Sequence, residues 1–270
     1  MTLQATPYNL VQGDEVEAIV TASNSYGESA ASEIGSGAVI ILVPSSPVGL
    51  ADNTAVTNAA RIGLTWNNGL NTGGSPIISY RVTYDQSTGT WTTLATGVLT
   101  RSYTTTVVLT PGAFYKFRVE ALNSVGYSIP SASFEILCAQ PPDKPAAPRT
   151  TFSELNVVVA WDAPPNGGSQ ILSYTIRFRQ SDGTTYTEDT AICNGGVLAT
   201  VNARSCTIPS VRFTTSPYNI QWGQSIWATV VATNIKGSSL VSEGGNGAVI
   251  LTNPAAPILL RDVPTITTGY

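Results

Sequence analysis

The stretch IGLTWNNGLNTGGSPIISYRVTY, residues 62–84, decides the fold. Two short runs of alternating apolar and polar residues flank a turn rich in Asn, Gly, Ser and Pro. Ile62, Leu64 and Trp66 share one face of the first run. Ile78, Tyr80, Val82 and Tyr84 share one face of the second, with Ser79, Arg81 and Thr83 opposite. A two-residue period puts alternate side chains on opposite faces of a strand, so the stretch reads as two half-buried strands joined by a loop. It returns as VVVAWDAPPNGGSQILSYTIRFR, residues 157–179, where Trp161 answers Trp66 and Tyr174 answers Tyr80. Val157, Val159 and Trp161, then Leu172, Tyr174, Ile176 and Phe178, carry the same alternation.

The pattern extends outward. Tyr115, Phe117, Val119 and Ala121 alternate with Lys116, Arg118 and Glu120, and Ile226, Ala228, Val230 and Ala232 form a matching late strand. No segment carries a helical period. Short strands separated by Gly, Pro and Asn turns predict an all-β chain of sandwiches. The motif N-x-x-G occurs in like context at Asn24/Gly27, Asn123/Gly126 and Asn234/Gly237.

A longer repeat contains the shorter one. Residues 1–60 align without a gap on residues 211–270, with 22 of the 60 positions identical. Pro7-Tyr8-Asn9 recurs as Pro217-Tyr218-Asn219, and Gly37-Ala38-Val39-Ile40 as Gly247-Ala248-Val249-Ile250. The offset of 210 residues spans two related modules, type A then type B. The expected organisation is the C-terminal part of a B module at 1–43, a complete A at 44–140, a complete B at 141–253, and the start of another A at 254–270. Both ends then cut through modules, as a window onto a periodic polymer would. Proline-rich joints mark the boundaries at Pro44 to Pro47, Pro141 to Pro148, and Pro254 to Pro257. Proline restricts its own φ and its predecessor, so the joints should be short and stiff.

These residues resemble the fibronectin type III family, whose landmarks are a Trp on the second strand, Tyr-x-Val on the third, and L-x-P-x-x-x-Y leading into the sixth. Module A has Trp66, Tyr80-Arg81-Val82, and Leu109-Thr110-Pro111 leading to Tyr115. The family's N-x-x-G-x-S-x-P-S hairpin appears as residues 123–131, NSVGYSIPS. The resemblance implies tandem immunoglobulin-like β-sandwiches, beads on a string, in which Tyr115 buries its ring and its hydroxyl ties down a corner. Module B keeps Trp161 and Tyr174 but holds Ile226 at the corner position, so the corner should be held otherwise, with the Tyr218 hydroxyl a candidate.

Composition narrows the function. Histidine is absent, so no Ser-His-Asp triad, Cys-His pair or His-containing zinc site can be built, and three cysteines cannot make a four-thiolate site. No cofactor and no catalysis are expected. Carboxylates such as Asp85, Glu135, Asp143, Asp162, Asp182, Glu188 and Asp189 scatter over turns and edges without a pair common to both modules. A net charge of −4 argues against nucleic acid, whose phosphates need a basic face. No apolar run is long enough for a membrane span, and the opening residues carry no basic start or apolar core of a signal peptide. Charged residues make up only 11% of the chain while Ser and Thr number 61, so hydroxyls must supply much of the surface polarity.

Cys193 and Cys206 bracket a Gly-Gly turn, and their spacing suits a disulfide across neighbouring strands; such a bridge implies an oxidising, extracellular or cell-surface setting. Cys138 reads as an ordinary half-buried residue. Alternation turns Trp227 outward, and Trp222 and Trp227 are candidate contacts for a partner or glycan, or else covered by their own module. Thr104-Thr105-Thr106 is a candidate O-glycosylated run. The expected function is a structural segment of a long extracellular array forming a fibre or surface filament. Its partners would be neighbouring modules and lateral copies. Strands of about ten residues give modules near 35 Å, hence an axial period of about 70 Å per two-module unit. The alternatives are an adhesion or receptor ectodomain binding through a module face, a spacer array on a polysaccharide-degrading enzyme, and a muscle-like ruler.

Overall fold

A computed structural model of the chain describes residues 3–251. The expected start of a further A module at 254–270 lies outside the described residues. The chain divides into two compact units, residues up to 140 together with 167–169, and the remainder from 141 onward.

In the first unit, residues 3–43 carry strands β1 (Glu15–Ala18), β2 (Ser23–Asn24), β3 (Gly27–Glu28) and β4 (Gly35–Val39). β1 pairs antiparallel with β4, and β2 with β3. Next come β5 (Val48–Asp52), β6 (Gly63–Asn67), β7 (Ser79–Tyr84), β8 (Thr92–Val98), β9 (Ser102–Thr104), β10 (Phe114–Leu122) and β11 (Phe134–Leu137). They form two antiparallel sheets, ordered β5-β6-β9 and β11-β10-β7-β8. The alternating residues meet between the sheets: Ile62, Leu64, Val82, Phe117 and Val119 are fully buried, with Trp66, Tyr80, Tyr115 and Ala121 close to it. Each large apolar side chain so buried stabilises by about 1.5–3 kcal/mol, and that driving force outweighs the low charge content in setting the register.

The second unit repeats the plan with β12 (Arg149–Ser153), β13 (Asn156–Ala160), β14 (Ser173–Arg179), β15 (Tyr186–Glu188), β16 (Ser205–Pro209), β17 (Ala228–Asn234) and β18 (Gly237–Ser238). Its sheets run β12-β13-β16 and β15-β14-β17-β18. Residues 245–250 extend the second sheet through Ala228 N–H to Gly245 O and Ile226 N–H to Ala248 O, both 2.8 Å. The core holds Val157, Val159, Trp161, Tyr174, Ile176, Phe178, Ile208, Phe213, Tyr218 and the inward face of β17.

Three sequence expectations need correction. Ile78 and Leu172 do not share the inward face, since each is 56% exposed. Both immediately precede their strands, which begin at Ser79 and Ser173, where the chain still rounds the turn. The chain is not free of helix: α1 spans Leu198–Ala203, and a single 3₁₀ turn spans Ser210–Thr214. α1 buries none of its residues, so no apolar stripe existed to betray it. Third, Cys138 is fully buried rather than half-buried, its thiol directed at Asn58 O, 3.5 Å away.

Backbone details recur at the 210-residue offset. Gly13 N–H donates to Ile40 O at 3.0 Å and Gly223 N–H to Ile250 O at 2.9 Å. Ser32 N–H reaches Val20 O at 3.0 Å and Ser242 N–H reaches Val230 O at 2.9 Å. The peptide bonds before Pro7 and Pro217 are both cis, and Asn9 and Asn219 both adopt φ 50°.

Candidate functional site

The landmark residues build a matched centre in each unit. Trp66 and Tyr80 meet edge to face with ring centroids 5.4 Å apart, and Trp161 and Tyr174 do so at 5.3 Å. The Tyr80 hydroxyl donates to Asn68 Oδ1. Leu109 is buried and Pro111 exposed, and between them Thr110 donates its backbone N–H to the Tyr115 phenol oxygen at 2.9 Å. That bond closes the corner leading into β10.

The corresponding corner of the second unit works differently. Tyr218 is fully buried against Phe178 and Phe213, with centroids 6.1 and 5.4 Å away. Its hydroxyl has no hydrogen-bond partner among the described residues, so the expected tie through that oxygen is absent and the ring alone does the packing. Burial, assisted by Asp189, pushes its pKa up to about 12 against the opposing pull of Arg212. Arg212 itself is held by the Asp189 carboxylate at 2.8 Å and by Ser216 O at 2.8 Å.

Cys193 and Cys206 are bonded, with Cα atoms 5.5 Å apart. The bridge does not join two neighbouring strands: Cys206 lies on β16, and Cys193 lies in the turn ahead of α1. It therefore closes a loop that contains the helix, whose one apolar contact with the core is the partly buried Val201.

The outward aromatics divide into covered and open. Trp227 is half-buried, with the Arg179 guanidinium 4.5 Å above its ring, and Trp91 is stacked in the same way by Arg118 at 3.8 Å. Such stacks satisfy both partners through cation–π attraction and leave less aromatic face for a ligand. Trp222 is 71% exposed on the turn before Gly223. The threonine run is not uniform. Thr106 is exposed, Thr104 half-buried, and Thr105 buried with its Oγ1 accepting Ile62 N–H at 2.9 Å. Thr105, only 4% exposed, leaves no room for a glycan on its oxygen, so the three do not act as one accessible run.

The carboxylates serve local structure. Asp85 Oδ1 accepts the N–H groups of Ser87 and Lys116, both at 3.0 Å. Asp182 caps Thr184 and Thr185, and the Thr185 hydroxyl bond holds its carboxyl below the usual range. Glu120 forms a bidentate pair with Arg81 at 2.7 and 2.5 Å, and Arg81 also lies over the Tyr127 ring. Sequence reading missed this Arg81–Glu120–Tyr127 cluster, although Arg81 and Glu120 sit opposite each other in the β7–β10 register.

Residues 46–136 match the family described as the fibronectin type III domain. Similar proteins include titin of Drosophila melanogaster, 37% identical over 84 residues, which are 29% of this chain and, to the nearest per cent, 0% of that protein. M-protein, striated muscle, of Gallus gallus is 31% identical over 139 residues, 48% of this chain and 9% of that protein. Neuronal cell adhesion molecule of Rattus norvegicus is 32% identical over 151 residues, 52% of this chain and 12% of that protein. The chain thus spans a small fraction of the length of each relative.

Proposed function

We propose that this run of fibronectin type III modules is a non-catalytic structural segment of a longer extracellular array, built to hold spacing along a fibre or surface filament. The observation that carries the reading is the return of the same backbone bonds at an offset of 210 residues, Gly13–Ile40 as Gly223–Ile250 and Ser32–Val20 as Ser242–Val230. A chain whose conformation, and not only its composition, is periodic suits a role in which every unit does the same mechanical work. We take the modules as 44–140 and 141–253, with 1–43 the end of a preceding B module. The Cys193–Cys206 bridge supports an oxidising compartment. Lateral copies and O-glycans, the latter on exposed Thr106 rather than Thr105, complete the proposed set of partners. Electron microscopy of the native material tests the reading. A regular filament with the axial period of a two-module unit supports it, and dispersed particles without a period refute it. An intact mass equal to the bare 28.3 kDa chain would remove the glycans.

A second reading has its own observation. Trp222 stands 71% exposed, and one relative is by name an adhesion molecule, so the chain would bind a protein or glycan through the face around Trp222. Trp222→Ala should then abolish binding to that partner with the thermal midpoint unchanged.

A further inference from the structure

The linker at residues 42–47 is bound by two features of the module that follows it. Leu42 N–H donates to Gly73 O and Ser45 N–H to Asn71 O, each at 2.8 Å, so the linker lies along the Asn71–Gly74 turn as an added extended segment. Asn123, only 2% exposed, reaches across from the end of β10. Its Nδ2 donates to Leu42 O at 2.7 Å and to Thr72 O at 2.9 Å. Its Oδ1 accepts Val125 N–H at 2.9 Å and Gly126 N–H at 3.1 Å, which fixes the amide's orientation. Gln12 and Asn71 exchange amide bonds at 3.1 and 2.6 Å beside it. Pro44 and Pro47 are buried.

The fit leaves no room for a side chain. A Cβ on Gly73 would stand 2.0 Å from Leu42 O, and one on Gly69 would stand 2.5 Å from the carbonyl oxygens of Ser45 and Ser46. Gly73 also has φ +79°, a conformation that favours glycine. The hydrogen bonds that the turn and Asn123 make to the linker go to its backbone, so the linker's side chains are free to differ. The register is written a second time with different residues. Gln140 N–H donates to Gly167 O at 2.8 Å, Asp143 N–H to Pro165 O at 3.0 Å, and Asn234 Nδ2 to Asn166 O at 2.8 Å. Leu42 and Ser45 are replaced by Gln140 and Asp143 while the Gly-Gly pair stays, and Asn234 holds the turn at Asn166 O as Asn123 does at Thr72 O.

We infer that the Gly-Gly turn and the N-x-x-G asparagine together form a backbone-reading clamp, a binding site on each module whose partner is the extended, proline-bounded linker of the module before it. The clamp assigns a use to the N-x-x-G motif, whose asparagine both caps its own turn and holds the incoming chain. It places the stiffness of the joint in side-chain and turn contacts as well as in proline. Through the 210-residue offset Gln12 corresponds to Trp222, so the residue that touches the turn in the first unit is an exposed indole in the second. The inference rests on the proposed function only in taking modules as consecutive. Exchange at the linker is read in dissolved chains, so failure to find a filament leaves it standing.

Amide hydrogen exchange of the whole 270-residue chain, resolved by residue, tests it. Asn123→Asp keeps the oxygen that caps Val125 and Gly126 and removes the donor to Leu42 O. The amides of Leu42 and Ser45 should then exchange on the order of tenfold faster, while those of Val125 and Gly126 keep their protection. A second pair of variants guards against a general loss of folding. Gly73→Ala and Gly74→Ala impose the same left-handed strain, at φ +79° and +83°, but the nearest neighbour of the Gly74 Cβ is a side-chain methyl at 3.2 Å rather than a backbone oxygen. Gly73→Ala should free the linker amides and Gly74→Ala should not. Unprotected Leu42 and Ser45 in the wild type, unchanged linker exchange in Asn123→Asp, or equal effects of the two glycine variants would each overturn the clamp.

Discussion

Removing one oxygen from Tyr115 and one from Tyr218 should have opposite consequences. The Tyr115 phenol oxygen accepts Thr110 N–H at 2.9 Å, and Thr110 is itself exposed. Tyr115→Phe loses one hydrogen bond whose freed donor can turn to water, a cost of about 1 kcal/mol. The Tyr218 hydroxyl is buried without a hydrogen-bond partner among the described residues, so the folded state already bears its desolvation, roughly 1–3 kcal/mol. Tyr218→Phe removes that penalty at the expense of a small void, and the second unit should be unchanged or stabilised by about 1 kcal/mol. For a domain of this size that is a shift of roughly 4 °C upward, against a similar fall for the first unit in Tyr115→Phe. Differential scanning calorimetry of the whole chain, with the transitions assigned by these two variants, reads both. Alkaline pH adds a second signature. The folded pKa of Tyr218, about 12, lies above the ordinary 10.0, so its contribution is full below pH 10 and is lost as pH rises toward 12. A rise of that size corresponds to roughly 3 kcal/mol once the phenolate forms. Tyr218→Phe should flatten that alkaline slope. A Tyr218→Phe chain that melts several degrees lower, with its alkaline slope intact, would refute the reasoning and restore a hydrogen-bonded corner.

Three further outcomes follow from close contacts. Reduction of Cys193–Cys206 should lower the stability of the second unit by about 3 kcal/mol in urea titrations, because the unfolded chain regains the freedom of that loop; an unchanged midpoint would mean that the loop is held by packing alone. Gly245→Ala puts a Cβ 1.6 Å from Pro148 O, so the strand edge must move, costing roughly 1–3 kcal/mol or more, and an unaltered melting curve would contradict the close approach. Thr105→Val strands the buried Ile62 N–H and should cost about 1–3 kcal/mol, whereas Thr106→Val, at an exposed position, should leave the midpoint within about half a kcal/mol.

Much of the fold was legible because a strand with one buried face announces itself every second residue. The inward sets Ile62, Leu64 and Trp66, or Ile226, Ala228 and Val230, follow from that period alone. It failed at Ile78 and Leu172, where the chain has not yet entered its strand, and at α1, which fully buries no residue and sets only Val201 partly buried against the core. It failed again at Thr105, because a hydroxyl that satisfies a buried backbone donor is indistinguishable in sequence from one that faces water. Trp227 and Trp222 are both tryptophans in one short segment, and the covered ring is set apart from the open one by Arg179 above it and by the chain at Gly244 beside it.

By itself the sequence determined the all-β class, the 210-residue period, the landmark residues of each core, and the exclusion of histidine-based chemistry. These depend on residue type and spacing, which are local properties. Tertiary structure alone decided which hydroxyls are spent inside, that the Tyr218 oxygen has no tie among the described residues, and that the N-x-x-G asparagine reaches the linker 81 residues before it. Those are questions of which polar groups meet after water has been excluded, and in a folded chain they are answered by three-dimensional proximity, which spacing along the sequence does not encode.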